Sequence, residues 1–231
     1  MADNMFPEDV REQLDEVFSR LERKVALELD LDRTDTSAEL KEFISQLVDL
    51  SHGKLTMTTK EVGALDADGR GVIDLGDALP ACTPIVRILA DDGSGNVAPT
   101  GIAFHGIPGQ REFSSFVMGI YDAGSRGQEV AAQGAERAKA VAAPVDVMLI
   151  VSLECPYCEA TVKAADRVAT LSPNVRAEAY DVQLYAQLAD KYNVQGVPVV
   201  VVTPADGGEP SVTVGEQSVS GLLDLIEAAA E

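Results

Sequence analysis

The sequence is poor in several residue types, and each shortage excludes a class of protein. It has no tryptophan, only 3 cysteines among 231 residues, and 18 basic residues against 38 acidic ones. Three cysteines are too few for the disulfide framework of a secreted domain. A formal net charge of −20 would repel a phosphate backbone, and no local basic cluster offsets it. We therefore expect no nucleic-acid partner.

Long uncharged apolar runs are also missing, so no transmembrane helix and no membrane partner are predicted. The opening residues, MADNMFPEDVREQ, are acidic and lack the apolar core of a secretory signal peptide. We therefore expect a cytoplasmic protein. In that reducing compartment, two cysteines separated by two residues indicate redox or metal chemistry.

What the sequence does contain is an internal repeat. A strand-like run followed by a helical pattern at 24–51 returns at 145–172, and the proline-bearing strand at 82–93 corresponds to another at 196–207. Each copy then closes with an amphipathic helix. Strands that alternate with helices predict an α/β fold with a partly parallel sheet covered by helices.

The repeat also places the domain boundary. The alanine-rich stretch at 126–143 is typical of a connecting helix. We therefore predict one fold over 1–125, a connecting helix over 126–143 and a second fold over 144–231.

The two copies differ at one pair of positions. Thr34 and Ser37 of the first copy stand where the second copy has Cys155 and Cys158, 121 residues later. Only the second copy can therefore carry thiol chemistry at this point.

The cysteine pair lies where a buried strand pattern gives way to a helical pattern. A thiolate at a helix N-terminus is stabilised by free backbone N–H groups and by the helix dipole. Pro156 suits the first turn, because its φ is fixed and its missing N–H is not needed there. We therefore predict that Cys155 is the exposed nucleophile. Cys158, on the same side of the first turn, would be the more buried thiol that resolves a mixed disulfide.

Metal binding explains the pair less well than redox exchange, and we expect no metal. Structural zinc needs four ligands, whereas the other candidates, Cys82, His52 and His105, are isolated in the sequence. An iron–sulfur cluster bridged between two chains is a further alternative. A disulfide within one turn would constrain almost no chain. The acidic loop at 66–77 resembles a calcium loop, but Arg70 stands at a ligand position, so a solvated turn is predicted.

The motif CPYC at 155–158, together with Val197-Pro198, resembles the active site of the thioredoxin superfamily, and CPYC is the glutaredoxin form. The doubled layout and the segment GIPGQREFSSF at 106–116 are similar to two families. These are the tandem-thioredoxin N-terminal domain of the alkyl hydroperoxide reductase flavoprotein and the protein disulfide oxidoreductases. The resemblance implies two fused thioredoxin-like folds, each a mixed β-sheet flanked by α-helices.

The resemblance also implies roles for single residues. Pro198 matches a cis-proline that faces the dithiol, and Val197 matches the residue whose backbone pairs with an extended substrate segment. Pro156 and Tyr157 would contact the same substrate. Glu112 matches a glutamate that the first fold contributes, and would assist proton transfer at the resolving thiol. The residues alone leave two plainer alternatives, a strand-initiating proline and an ordinary acid at a helix N-terminus.

The family further implies a function. Electrons would pass from a flavoprotein disulfide reductase, through the dithiol, to a peroxiredoxin-type peroxidase or another disulfide-bearing protein. Because no Gly-x-Gly-x-x-Gly motif follows a strand, we expect no cofactor on this chain. Two alternatives stay open, a general protein disulfide reductase or isomerase and a docking module without catalysis.

Overall fold

A computed structural model describes residues 5–229. From the first strand onwards its two copies share one succession of elements, except that only the second has α6. The first copy contains α1 (Glu8–Ser19), β1 (Val25–Leu31), α2 (Asp35–Leu50), β2 (Leu55–Glu61), β3 (Ile85–Asp91), β4 (Val97–His105) and α3 (Glu112–Gly124). The connecting helix is α4 (Ala132–Ala140). The second copy contains β5 (Val145–Val151), α5 (Pro156–Leu171), β6 (Val175–Asp181), α6 (Ala186–Lys191), β7 (Val199–Pro204), β8 (Ser211–Val214) and α7 (Val219–Ala229).

One mixed sheet of eight strands runs through both copies, in the order β2-β1-β3-β4-β6-β5-β7-β8. In each half the first two strands are parallel, and the third and fourth are added antiparallel. The halves join where β4 pairs in parallel with β6, so that Ile102 lies opposite Ala177 and His105 opposite Tyr180. The predicted pair of thioredoxin-like folds is confirmed, and their sheets are continuous with each other.

The sheet separates two apolar cores. The larger core contains alternate side chains of the strands, such as Val147 and Leu149, packed against helices including α2, α3, α5 and α7. The smaller core, on the opposite face, contains Met148 and Ile150 of β5 together with Leu188 of α6. Every residue of β5 is buried, which explains its nearly unbroken apolar sequence. Among the described helices, none is both long enough and apolar enough to cross a membrane.

The boundaries of α2 and α5 agree with the sequence-based prediction to within a residue, whereas β3 and β7 begin three residues after the start of their predicted segments at 82–93 and 196–207. The helical patterns at 34–51 and 155–172 correspond to α2 and α5. The connecting helix is shorter than its predicted segment at 126–143, since α4 occupies only the middle of that segment. Gly127 has a φ of +75°, a left-handed conformation that is incompatible with a continuous right-handed helix from residue 126.

Asp32, just after β1, holds together three segments of the first copy. Its carboxylate accepts hydrogen bonds from Thr34 Oγ1 and Ser37 Oγ, both at 2.6 Å, from Gly71 N at 3.1 Å and from Thr83 Oγ1 at 2.9 Å. Burial raises the pKa of Asp32, but the hydrogen bonds from Ser37, Thr34 and Gly71 outweigh it and lower the pKa to about 2. The positions that correspond to the dithiol are therefore bound to a buried carboxylate.

The loop at 66–77 belongs to this network. Its acidic residues Asp66, Asp68 and Asp74 are exposed, as predicted for a solvated turn. Its middle, however, packs closely, because a Cβ added to Gly71 would lie 2.2 Å from Thr83 Oγ1. The Asp66 carboxylate accepts hydrogen bonds from two backbone N–H groups of its own turn.

Replacing Asp32 by alanine should leave several buried donors without an acceptor. We expect the free energy of unfolding to fall by about 2–4 kcal/mol in urea denaturation at pH 7. The control Asp35→Ala, at an exposed residue in the first turn of α2, should cost less than about 1 kcal/mol.

The pH dependence of the unfolding free energy provides a second test of the role of Asp32. Because folding lowers the pKa of Asp32 from 3.8 to about 2, its stabilising contribution is complete above pH 4 and is lost as the pH falls towards 2. In Asp32→Ala, the unfolding free energy should not show this fall between pH 4 and pH 2. An unchanged acid profile in the variant would contradict the assignment.

Candidate active site

The dithiol lies at the carboxyl end of β5, where the chain leaves the sheet and enters α5. Cys155 is the N-cap residue, with an extended backbone (φ −84°, ψ 118°), and Pro156 is the first helical residue. Cys155 is half-buried, whereas Cys158, one turn later, has no exposed surface. One sulfur therefore reaches the surface and the other lies beneath it.

The two thiols are in hydrogen-bonding contact but in different environments. Burial raises the pKa of Cys158 well above its usual range, and the hydrogen bond with Cys155 raises it further. Cys158 thus keeps its proton and can donate it to the Cys155 sulfur. Cys155 Sγ also lies 3.6 Å from the carbonyl oxygen of Val197. The geometry suits one attacking sulfur and one proton-bearing neighbour.

The loop before β7 faces the dithiol. The Val197–Pro198 peptide bond is cis, which confirms that part of the resemblance. Pro198 is buried and its carbonyl accepts a hydrogen bond from Gly215 N at 2.9 Å, while Val197 stays half-buried. The corresponding Thr83–Pro84 bond of the first copy is also cis.

An open surface adjoins Cys155. Pro156 is exposed, and the Tyr157 side chain is 59% exposed although it is a large aromatic. A protein that approaches the Cys155 sulfur therefore meets these two side chains.

Glu112, the first residue of α3, is brought to the dithiol because α3 packs along α5. It is fully buried; Oε2 accepts a short hydrogen bond from Ser115 Oγ, and Oε1 has no partner among the described residues. Burial raises the pKa of Glu112 to about 7, although the Ser115 hydrogen bond opposes this. Charge repulsion from Glu112 adds to the raised pKa of Cys158. Such burial does not fit an ordinary solvated acid at a helix end.

A charged pair beside Glu112 was not predicted from the sequence. Lys163 Nζ donates a hydrogen bond to Glu159 Oε1 at 2.6 Å, and both side chains are about one quarter exposed. Glu159 raises the pKa of Glu112 and Lys163 lowers it. The signal available in the sequence was the spacing of an acid and a lysine four residues apart on α5.

Two further buried acids, between α3 and α5, were also not predicted from the sequence. Asp166 Oδ2 packs against Gly119, where an added Cβ would lie only 2.8 Å away. Asp122 accepts hydrogen bonds from the backbone and side-chain amides of Gln128. Burial raises the pKa of both carboxyls, and repulsion from Asp122 adds to the rise at Asp166. Together with Glu112, they form a row of three buried carboxyl groups along the interface between α3 and α5.

Within residues 5–229, no three or more histidine, cysteine, aspartate or glutamate side chains are grouped so that they could hold an ion.

Comparisons with known proteins agree with this geometry. A thioredoxin-domain family matches residues 145–220, which form most of the second copy. The solved structure of the alkyl hydroperoxide reductase AhpF of Enterococcus faecalis gives a TM-score of 0.78 at 31% identity, covering 96% of this chain and 99% of that one. The NTD_N/C domain of the same AhpF gives 0.78 at 30% identity, with the same coverage. The chain belongs to the AhpF N-terminal-domain family.

More distant relatives extend the comparison of this AhpF-type domain. A protein disulfide oxidoreductase from Aeropyrum pernix shares the fold, with a TM-score of 0.74 at 19% identity over 100% of this chain and 95% of that one. The AhpF of Escherichia coli is 26% identical over 212 residues, which is 92% of this chain but 36% of that protein. The AhpF of Staphylococcus epidermidis is 24% identical over 210 residues, again 36% of its length.

The chain therefore spans about a third of the length of these curated relatives, 36% in both cases. Its family and its fold identify it as a domain with thioredoxin-like folds.

Replacing Glu112 by glutamine should change how stability depends on pH. Folding raises the pKa of Glu112 from 4.5 to about 7, so its ionisation destabilises the folded state increasingly as the pH rises through that window. Relative to the wild type, Glu112→Gln should gain roughly 3 kcal/mol of unfolding free energy between pH 4.5 and pH 8. Urea denaturation at both pH values measures this gain.

The exposed acid Glu39 in α2 provides the control, since Glu39→Gln makes the same substitution at the protein surface. If the unfolding free energy of Glu112→Gln differed from that of the wild type by the same amount at both pH values, the buried carboxyl would not titrate in this window.

Proposed function

We propose that the chain passes two electrons through the Cys155–Cys158 dithiol, from a flavoprotein disulfide reductase to a peroxiredoxin-type peroxidase or another disulfide-bearing protein. One observation carries the proposal. A half-exposed sulfur at a helix N-terminus touches a fully buried thiol and faces a cis-proline loop. In that arrangement one thiol can attack a partner, while the other stays buried until a mixed disulfide has formed.

The proposed exchange balances atoms and electrons. The Cys155 thiolate attacks one sulfur of the partner's disulfide and forms a mixed disulfide, and the partner's other sulfur leaves and takes up a proton. Cys158 then gives up its proton and attacks the Cys155 sulfur. The bond to the partner breaks, the partner leaves as a dithiol, and Cys155 and Cys158 are oxidised to a disulfide. The donor's dithiol reduces that disulfide by the reverse sequence.

Glu112 is proposed to accept the proton that Cys158 loses in the second step. Its carboxyl is buried in the same space, one of its oxygens has no partner among the described residues, and its pKa is raised to about 7. A base whose pKa lies near the working pH can both take up and return a proton. The Glu112 carboxyl would thus gain and return a proton in each redox cycle of the dithiol.

The substrate contacts and partners follow from the family resemblance. Pro156 and Tyr157 present an exposed surface beside Cys155, and the backbone of Val197 would pair with an extended segment of the partner. The donor and the acceptor are those that the likeness to the AhpF domain suggests. The cytoplasmic location stays a prediction from cysteine usage.

A general protein disulfide reductase is the second candidate, favoured by the exposed Tyr157 beside the attacking sulfur. It would use the same chemistry without a dedicated acceptor. A docking module without catalysis, the third alternative, would not turn over any disulfide.

Replacing Cys155 by serine should abolish turnover, because the attacking sulfur is lost while the fold is kept. The assay supplies NADH and a flavoprotein disulfide reductase as donor, with either an oxidised peroxiredoxin or insulin as acceptor, and follows NADH oxidation. We expect turnover with the peroxiredoxin in the wild type and a fall to the background rate in Cys155→Ser. Cys82→Ser, at a buried thiol outside the dithiol, should keep the wild-type rate.

The same assay separates the alternatives. Turnover with insulin but not with the peroxiredoxin would indicate a general reductase. Full activity in Cys155→Ser would overturn the dithiol relay.

A further inference from the structure

A groove of about 620 Å³ lies beside the first copy's counterpart of the dithiol. Thr34, the N-cap residue of α2, lines it at the place where the second copy has Cys155, and Pro84 of the first copy's cis bond lines it as well. One wall comes from residues 70–73, and the other comes from the second copy, through Leu184 and others. The two copies thus build this groove together.

The groove and the dithiol open at the same edge of the sheet. β1, β4, β6 and β5 all run in one direction, so their carboxyl ends lie together. Thr34 follows β1, Leu184 follows β6 and Cys155 follows β5. Four strand spacings separate β1 from β5, which is about 19 Å, or roughly six residues of extended chain.

Partly exposed apolar side chains follow the strands between the two places. Ile107 comes after β4, Leu184 after β6 and Leu153 after β5. Leu184 is 41% exposed and lies over Gly106, where an added Cβ would come within 2.9 Å of its Cδ1 atom. Three partly exposed apolar side chains therefore lie at this edge of the sheet between the groove and Cys155.

The groove offers groups that can bind a peptide, but it has no thiols at the positions that correspond to the dithiol, so it cannot exchange electrons there. Thr34 and Ser37 replace the thiols, and the Asp32 carboxylate is already occupied by four groups of the first copy. The walls offer the hydroxyl of Thr36 and the amide of Gln187, beside apolar side chains such as Ile73. Hydroxyl and amide groups can pair with the backbone of an extended peptide, and apolar neighbours can take its alternate side chains.

We propose that the groove is the distal half of a docking track for an extended segment of the disulfide-bearing partner. The segment's cysteine meets Cys155, and residues about six positions away bind beside Thr34. The first copy thereby contributes affinity for protein substrates without a competing thiol. This proposal rests on the proposed function of the dithiol.

The test uses synthetic peptides of alternating serine and valine, each with one cysteine in a mixed disulfide with thionitrobenzoate. The flanking segment is about two or about eight residues long, on the N-terminal side in one series and on the C-terminal side in the other. Cys155 of the pre-reduced protein attacks the peptide sulfur and displaces the yellow thionitrobenzoate anion. Cys158 then releases the peptide thiol, so the two electrons of the dithiol reduce one disulfide.

In the wild type, we expect the long peptide of one series to react at least about tenfold faster than the short one, the gain expected from a few peptide hydrogen bonds. Thr36→Trp and Gln187→Trp each fill the groove and should reduce the long peptide's rate to that of the short one. The short peptide's rate should not change. Thr58→Trp, at an exposed threonine on β2 outside the groove, should keep the length dependence.

Equal rates for long and short peptides in the wild type would overturn the docking track, as would a length dependence that survives both groove variants. Circular dichroism and thermal melting verify that each variant is folded. A wild-type protein that releases thionitrobenzoate from no peptide would instead contradict the dithiol chemistry itself, and the docking track with it.

Discussion

The burial of Cys158 beneath Cys155 is the interaction on which the site depends. It follows from β5, whose residues are buried on both faces of the sheet, so that the point where the chain turns into α5 is fixed. The N-cap position leaves one sulfur at the surface, and the first turn carries the other into the core. Burial thereby raises the proton affinity of Cys158 and protects it, while Cys155 stays within reach of partners.

The two similar halves of the duplicated fold contribute different groups to the structure. In the first copy a buried carboxylate, Asp32, occupies the hydroxyl groups that stand at the thiol positions. The same copy supplies α3, which carries Glu112 to the dithiol of the other half. Because β4 pairs with β6, the two halves share one sheet and the distance between their sites is fixed. The copy that lacks the cysteine pair thus contributes a buried carboxyl group to the candidate site.

The parts predicted from the sequence are those encoded locally. The start of α5 depends on a few adjacent residues. The cis bond before Pro198 was instead implied by the family resemblance. The buried acids Asp166 and Asp122 could not be predicted, because their burial arises only when α3 packs against α5, more than 30 residues away along the chain. The network of Asp32 with Gly71 and Thr83 is long-range for the same reason.

The difference between the two thiols can be measured directly by a brief pulse of iodoacetamide on the reduced, folded protein, followed by acid quench and peptide mass spectrometry. We predict carbamidomethylation of Cys155, with Cys158 and the buried Cys82 unlabelled until the protein is unfolded. Labelling of Cys158 as fast as that of Cys155 in the folded protein would contradict the arrangement of an exposed attacking sulfur above a protected one.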